Sequence, residues 1–359
     1  MSLDENISFE VLINNSDKFK TLIKEVNSEA ITFLLTESTL YFIYLDTGFY
    51  VCKTLNTIDM RGYKNPVAIR IDKGDFINLL TDGKIEFTLN QEASRLILKY
   101  FDSKDELLYS YKLPYQPDLI GTYLDTLNSF SKFYDYPQID FTKANTIIKI
   151  AKTLQLPISC DGTSLRVDNG NMFVYQPFES MPFNINSKLL YLLRSYSNKV
   201  YVIKEYFAVV IEDVIIAVNR YKSAGKHDFE YIRDSKSSFI IKFNLSNVIK
   251  LSKKIKLSAG EFFLNFNKKI AYFESNGKEY EAKFTVTNTK SSVAKMSFEE
   301  YMMSGGVNQT LPEFKLPNAL FRGVFSNINH NSELTLYVKK SFVTIICENL
   351  YVVIGKSMV

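Results

Sequence analysis

The sequence predicts an α+β protein assembled from one small unit, βαβββ, repeated six times. Three observations carry that prediction. Short runs rich in β-branched and aromatic residues recur in groups of three along all 359 residues. Ahead of each group lies a segment with apolar residues at helical spacing, itself preceded by one more strand-like run. Gly and Pro are sparse, at 14 and 9, while Phe and Tyr number 28 and 23, which suits packed strands and not flexible linkers. The units begin near residues 7, 67, 139, 182, 239 and 313, about sixty residues apart, a longer period than the familiar solenoids have. The repetition is one of pattern, not of residues.

The first unit opens with a strand over Ile7 to Ile13. Phe19, Leu22, Ile23 and Val26 then mark a helix from Ser16, whose hydroxyl suits an N-cap. Strands follow at Ala30 to Leu35, Leu40 to Leu45 and Phe49 to Lys53. The second unit has a strand at Val67 to Ile71 and a helix over Lys73 to Thr81, with Asp82-Gly83 as its left-handed cap. Its three strands lie at Ile85 to Leu89, Arg95 to Tyr100 and Leu107 to Tyr111, and Leu113 to Pro137 is a connector. In the third, Ala144, Ile147, Ile148, Ala151 and Leu154 share one helix face, and Asn145, Lys149, Lys152 and Thr153 share the other. Asp161-Gly162 and Asn169-Gly170 are hairpin turns between the strands that follow.

The fourth unit has a helix over Ser187 to Asn198 and strands at Val200 to Ile203, Phe207 to Ile211 and Val214 to Asn219. The charged stretch Lys222 to Lys236 reads as a connector. The fifth has a helix over Asn244 to Leu257 and strands at Glu261 to Phe266, Lys269 to Ser275 and Glu279 to Thr287. The sixth places Pro317 at the start of a helix, where a missing N–H is tolerated, before strands at Glu333 to Val338, Phe342 to Cys347 and Leu350 to Ile354.

One such unit cannot bury both its helix and its sheet, but two side by side can. Six units therefore predict three similar domains, over residues 1–125, 126–232 and 233–359. Their outer strands leave open edges that invite another chain. If the domains follow an arc, a second copy joined head to tail closes a ring and removes those edges.

Charge sharpens the picture. The six helices, drawn generously, carry 14 basic side chains against 4 acidic, a balance of +10 in a chain whose total is +4, leaving −6 elsewhere. The basic residues include Lys18, Lys20, Lys24, Lys143, Lys149, Lys152, Lys188, Arg194, Lys250, Lys253, Lys254 and Arg322. A lone lysine on a helix is ordinarily just a solvated face. An excess spread over six helices instead predicts attraction to a polyanion, and a ring with basic helices inside would hold double-stranded DNA by its phosphates without reading sequence.

Other chemistries find little support. Cys52, Cys160 and Cys347 lie in apolar strands and read as buried thiols. His227 and His330 read as solvated loop residues, with no ligand-spaced partner. Phosphate-loop, dinucleotide and nucleophile-elbow motifs are missing, so the reading predicts no enzyme, no metal and no cofactor. No apolar run is long enough for a membrane helix and no signal pattern opens the chain, which suggests a cytoplasmic protein without a membrane partner.

At this point the chain resembles the DNA sliding clamps of the bacterial polymerase III β-subunit type, over nearly its full length. The local likeness is strongest at Leu350-Tyr351-Val352-Val353-Ile354-Gly355-Lys356-Ser357-Met358-Val359, against a family terminus with Tyr-Val-Val and a short Met/Pro tail. Gly355 stands where the family usually has proline, and the tail is one residue longer. Asp168-Asn169-Gly170-Asn171-Met172-Phe173 sits where the family has Thr-Asp-Gly-His-Arg-Leu, so Asn171 and Met172 replace His and Arg. The resemblance implies the clamp fold, with helices lining a homodimeric ring and antiparallel sheets outside. It also implies a processivity role, tethering a DNA polymerase, and a clamp loader ATPase to open the ring. Asn171, Met172, Phe173, Ile354, Met358 and Val359 would line a groove for partner peptides. The Lys, Asn, Ile, Phe and Tyr excess suits an A/T-rich genome, as in many phages and some Firmicutes. Alternatives are a β-rich phage structural protein, a clamp-like platform for transcription or recombination factors, and an enzyme with scattered carboxylates.

Overall fold

The computed structural model describes residues 6–24, 29–46, 48–119, 121–221, 226–237, 239–255, 260–291, 313–329, 331–339 and 342–355. All six units are present. The first comprises β1 (Asn6–Ile13), α1 (Ser16–Lys24), β2 (Ala30–Leu35), β3 (Thr39–Asp46) and β4 (Phe49–Arg61). The second comprises β5 (Val67–Asp72), α2 (Lys73–Leu79), β6 (Gly83–Asn90), β7 (Arg95–Phe101) and β8 (Leu107–Pro114). After β9 (Gln116–Pro117) and α3 (Gly121–Phe130) come β10 (Gln138–Asp140), α4 (Asn145–Leu154), β11 (Ile158–Cys160), β12 (Ser164–Asp168) and β13 (Met172–Pro177). The fourth unit is β14 (Phe183–Ile185), α5 (Ser187–Tyr196), β15 (Lys199–Ile203), β16 (Tyr206–Ile211) and β17 (Val214–Asn219), followed by α6 (Phe229–Asp234). The fifth is β18 (Phe239–Asn244), α7 (Ser246–Lys254), β19 (Glu261–Asn265), β20 (Ile270–Ser275) and β21 (Lys278–Lys283), with β22 (Thr285–Ser291) appended. The sixth is β23 (Glu313–Pro317), α8 (Asn318–Phe325), β24 (Leu334–Val338), β25 (Phe342–Cys347) and β26 (Leu350–Gly355).

The chain divides into two compact units, Met1–Asp140 with Leu193–Arg220, and Phe141–Leu192 with Tyr221–Val359. In the first, the long β4 splices two groups of strands: Phe49 to Lys53 pair with Val218 to Val214 of β17, and the far end pairs with β1. Its core is aromatic. Phe33, Phe42, Phe76 and Phe87 meet at ring-centroid distances of 4.6–6.3 Å, and Phe19 of α1 reaches Phe42 at 6.1 Å. Both helices of the first pair thus bury their apolar faces on one core, each buried Phe contributing about 2 kcal/mol.

In the second compact unit a nine-stranded sheet runs β14-β11-β12-β13-β26-β25-β24-β18-β22, beside a four-stranded sheet β21-β20-β19-β23. Helices α4 and α8 approach closely where Gly323 lies against Leu154: a Cβ on Gly323 would fall 2.2 Å from Leu154 Cδ2. Phe321 of α8 stacks on Phe262 at 4.0 Å.

Local details depart from the expectations. Ser16 is the buried first residue of α1, not its cap; its N–H donates to Asp82 Oδ1 at 2.7 Å. The hydrogen bonds from Ser16 hold the Asp82 carboxyl below its ordinary value. Asp82 therefore caps a helix of the preceding unit, while α2 simply ends in extended chain at Leu80 and Gly83, at φ +127°, opens β6. Pro317 closes β23 just ahead of α8. The single strand expected over Glu279 to Thr287 breaks at buried Phe284 into β21 and β22, which join different sheets. Helices α3 and α6 occupy stretches read as connectors. The expected Asp46-Thr47-Gly48 turn, the helix ends at Val26 and Leu257, and His330 fall wholly or partly outside the described residues.

Candidate functional site

Helix charge survives the observed boundaries. The six repeat helices α1, α2, α4, α5, α7 and α8 hold 12 basic and 2 acidic side chains, again +10. Helices α3 and α6, outside the repeat, carry −1 each. The excess therefore belongs to the repeat helices and not to helices in general. Burial sorts the faces: α4 buries Ile147, Ile148, Ile150 and Ala151 and exposes Lys149 and Lys152, while α7 buries Val248, Ile249 and Ser252 and exposes Lys250, Lys253 and Lys254. Lys143 is exposed on the turn leading into α4.

Not every cation is equally available. Lys18 pairs with Glu212 at 3.2 Å and Lys20 with Asp17 at 3.4 Å. Lys152 Nζ sits 3.5 Å above the Tyr191 ring, and Arg194 donates to Asn198 Oδ1 at 2.7 Å. Arg322 is exposed on α8. Among the described residues, Lys24, Lys143, Lys149, Lys188, Lys250, Lys253 and Lys254 have no side-chain anion within pairing distance.

A second feature lies where β13 and β26 pair. Their register sets Met172 against Ile354, Phe173 against Val353, Val174 against Val352 and Tyr175 against Tyr351. The two segments expected to share a groove are thus hydrogen-bonded neighbours. Alternation splits them between faces. Met172 and Ile354, 1% and 0% exposed, are core residues and do not line an open groove, which corrects the expectation for both. Their face looks toward α4, since Gln176, two pleats on, donates to the Lys143 carbonyl. Phe173, Tyr175, Tyr351 and Val353 form the other face, and α6 lays Phe229 and Ile232 across part of it. Phe229 meets Tyr175 at 5.7 Å and Tyr351 at 5.0 Å, leaving Phe173, Phe342 and Tyr351 half-buried. Asn171 lies at the tip of the turn, its N–H bonded to Asn169 Oδ1 at 3.2 Å; Met358 and Val359 lie outside the described residues.

Helix α6 is fastened at both ends. Upstream, His227 is buried, not solvated as expected: Nδ1 is 3.0 Å from Ser164 Oγ, Nε2 is 3.1 Å from Ser159 Oγ, and its backbone N–H donates to Asp161 Oδ2 at 3.0 Å. Burial pulls the imidazole below its ordinary value against the opposing pull of Asp161. Burial alone would raise Asp161, but the N–H groups of Thr163, His227 and Ser164 outweigh it and hold the carboxyl at about 2. Downstream, Lys339 Nζ donates to the Ile232 carbonyl and to Ser235 Oγ, tying off the last turn of α6.

Solved structures resemble this architecture from end to end. The DNA polymerase III β subunit of Borrelia burgdorferi aligns at a TM-score of 0.62 and 14% identity, covering 97% of both chains. The sliding clamp of Bacillus subtilis aligns at 0.63 and 9%, covering 98% of both. The β subunit from Streptococcus pyogenes aligns at 0.59 and 12%, covering 97% of this chain and 99% of that one. The chain has the sliding-clamp fold. No family model and no curated protein matches the sequence.

Within the sliding-clamp fold, the twelve nominated cations lie on repeat helices or, for Lys143, beside one. Sequence reasoning missed Phe229, Ile232, His227 and Lys339. The signal for α6 was there: Phe229 and Ile232 stand three apart inside an otherwise charged stretch. Nothing local in the sequence marks His227 as buried, because its partners lie more than sixty residues away.

Proposed function

We propose that this chain is a DNA polymerase processivity factor, a non-catalytic clamp whose two copies close head to tail around duplex DNA. The observation that carries the reading is the +10 on the repeat helices of a chain with the sliding-clamp fold. Cations on helix surfaces attract phosphate at any sequence, which is what a sliding contact requires. The three-domain division into 1–125, 126–232 and 233–359 pairs the six units two by two. The helices would face the bore, with Lys24, Lys143, Lys149, Lys188, Lys250, Lys253 and Lys254 as the readiest phosphate contacts.

Strand β8 supports ring closure. It is the outermost strand of its sheet path, and Leu107 and Leu108 are 56% and 58% exposed. An edge both unpaired and apolar is a liability unless a second chain covers it. A clamp loader ATPase would open the ring in the cytoplasm. Phe173 and Tyr351 would dock the polymerase, with Asn171 at the tip of the adjoining turn; Met358 and Val359, expected to share that role, lie outside the described residues. A structural protein shares the strand content but has no need to confine positive charge to its helices. The test is imaging of the purified protein without imposed symmetry. Closed two-chain rings are expected, reverting to monomers in Leu108→Lys. Sheets or fibres without a hole would overturn the reading.

A further inference from the structure

Beside the Lys339 end of α6 lies a cavity of about 320 Å³, bounded by Arg233, Lys236, Lys339, Tyr337, Thr344 and Tyr351, with Ile232, Ser235, Ser237 and Ile346 completing it. Among the described residues, its wall has three cationic side chains and no carboxylate. Lys339 is 5% exposed. A buried ammonium ordinarily has a counter-ion, yet among the described residues no carboxylate lies within pairing distance of it. Two of its three donors are used, on the Ile232 carbonyl and Ser235 Oγ. Asp234, whose charge reaches Lys339 without pairing with it, is engaged by Arg233 at 2.8 Å. A second observation is independent of the first: Thr344, 1% exposed and in the same wall, has a hydroxyl without a hydrogen-bond partner. A buried hydroxyl left unpaired costs about 1–3 kcal/mol, and a ligand acceptor would recover that.

The cavity also continues the apolar docking face. Phe173, Val353, Thr344 and Tyr337 are successive cross-strand partners on β13, β26, β25 and β24. Strands lie about 5 Å apart, so the row leads from the apolar end to the cationic end in about 5–10 Å, two or three residues of extended peptide. We propose that this cavity binds the carboxylate of an acidic side chain in a partner segment, within three residues of an apolar anchor seated on the half-buried Phe173 and Tyr351. Lys339 and the Thr344 hydroxyl hold the carboxylate, and Arg233 and Lys236 flank its entry. This rests on the reading of that face as a docking surface, and it names the chemistry of the partner.

The experiment is selection of a displayed random seven-residue peptide library on the full chain without DNA, so that failure of ring formation does not affect it. Peptides enriched on the unmodified chain should carry Asp or Glu within three residues of an aromatic or aliphatic anchor. Selection on Lys339→Met should keep the anchor and lose the acid. Thr344→Val, which removes the orphan hydroxyl at constant shape, should weaken acid preference while leaving thermal stability equal or higher. For one selected peptide, Glu→Gln should weaken binding about ten-fold on the unmodified chain and under two-fold on Lys339→Met. Enrichment of no peptide, enrichment without acids, or an acid preference undiminished in Lys339→Met would each overturn the proposal.

Discussion

Replacing Lys149, Lys250, Lys253 and Lys254 together by Gln separates two explanations of the helix charge. Two of the four, Lys253 and Lys254, lie in the last turn of α7, where cations also complement the helix dipole. If that were their role, the variant would lose about 0.3–1 kcal/mol per terminal lysine and DNA binding would be indifferent. If they contact phosphate, stability barely moves, since all four are exposed, have no anionic partner among the described residues, and give way to a good helix former. The charge on the repeat helices falls from +10 to +6. Each phosphate neutralised contributes about 0.9 to the slope of log affinity against log salt, so four lost contacts lower the slope by about 3.6 per chain. The assay is retention on duplex DNA across a salt series, beside a denaturant titration. An unchanged slope with a lowered midpoint would refute the phosphate assignment and leave the dipole as the reason for the lysines.

Two further outcomes test the packing of α8 and of α6. Gly323→Ala forces Leu154 to move, since the new Cβ would meet Leu154 Cδ2 at 2.2 Å; a loss of about 1–3 kcal/mol is expected in denaturant unfolding, with partial recovery in the Leu154→Ala double variant. Acid should loosen α6 in two stages. His227, lowered from 6.5, stays neutral in the fold while the unfolded chain takes up a proton below that value, so stability falls as pH drops below about 6.5. Asp161, held at about 2 from an ordinary 3.8, loses its contribution of roughly 2 kcal/mol as pH falls from about 4 to about 2. Hydrogen exchange at residues 226–237 across pH 4–7 reads the first stage directly; protection that does not change would sink it.

Repeat architecture was legible because it rests on periodicity. Six helical stripes and eighteen following strands are written in the spacing of apolar residues, and every one of the six units folds in its expected order. What escaped depends on residues distant in sequence. Ser16 looks like a cap in isolation, but Asp82 supplies the acceptor. His227 looks solvated until the β11–β12 hairpin supplies Ser159, Asp161 and Ser164. The segments around Met172 and Ile354 were expected beside each other and pair as β13 and β26, yet Met172 and Ile354 face the core. A one-residue change of register exchanges the two sides of a strand, and resemblance to a family motif does not fix it.

That contrast bears on how the fold persists at 9–14% identity to the solved clamps. Attraction to phosphate needs only the right sign on an exposed helix face, and any of several positions on that face will serve. Burial of each helix needs only an apolar stripe of about the right volume. Both demands leave individual residues free. Docking a partner segment is different, because pockets and unpaired polar groups must meet one chemical pattern. The cationic cavity at Lys339 and Thr344 is therefore where this chain's own partner should be most visible, and the lysine-bearing helices are where it should be least so.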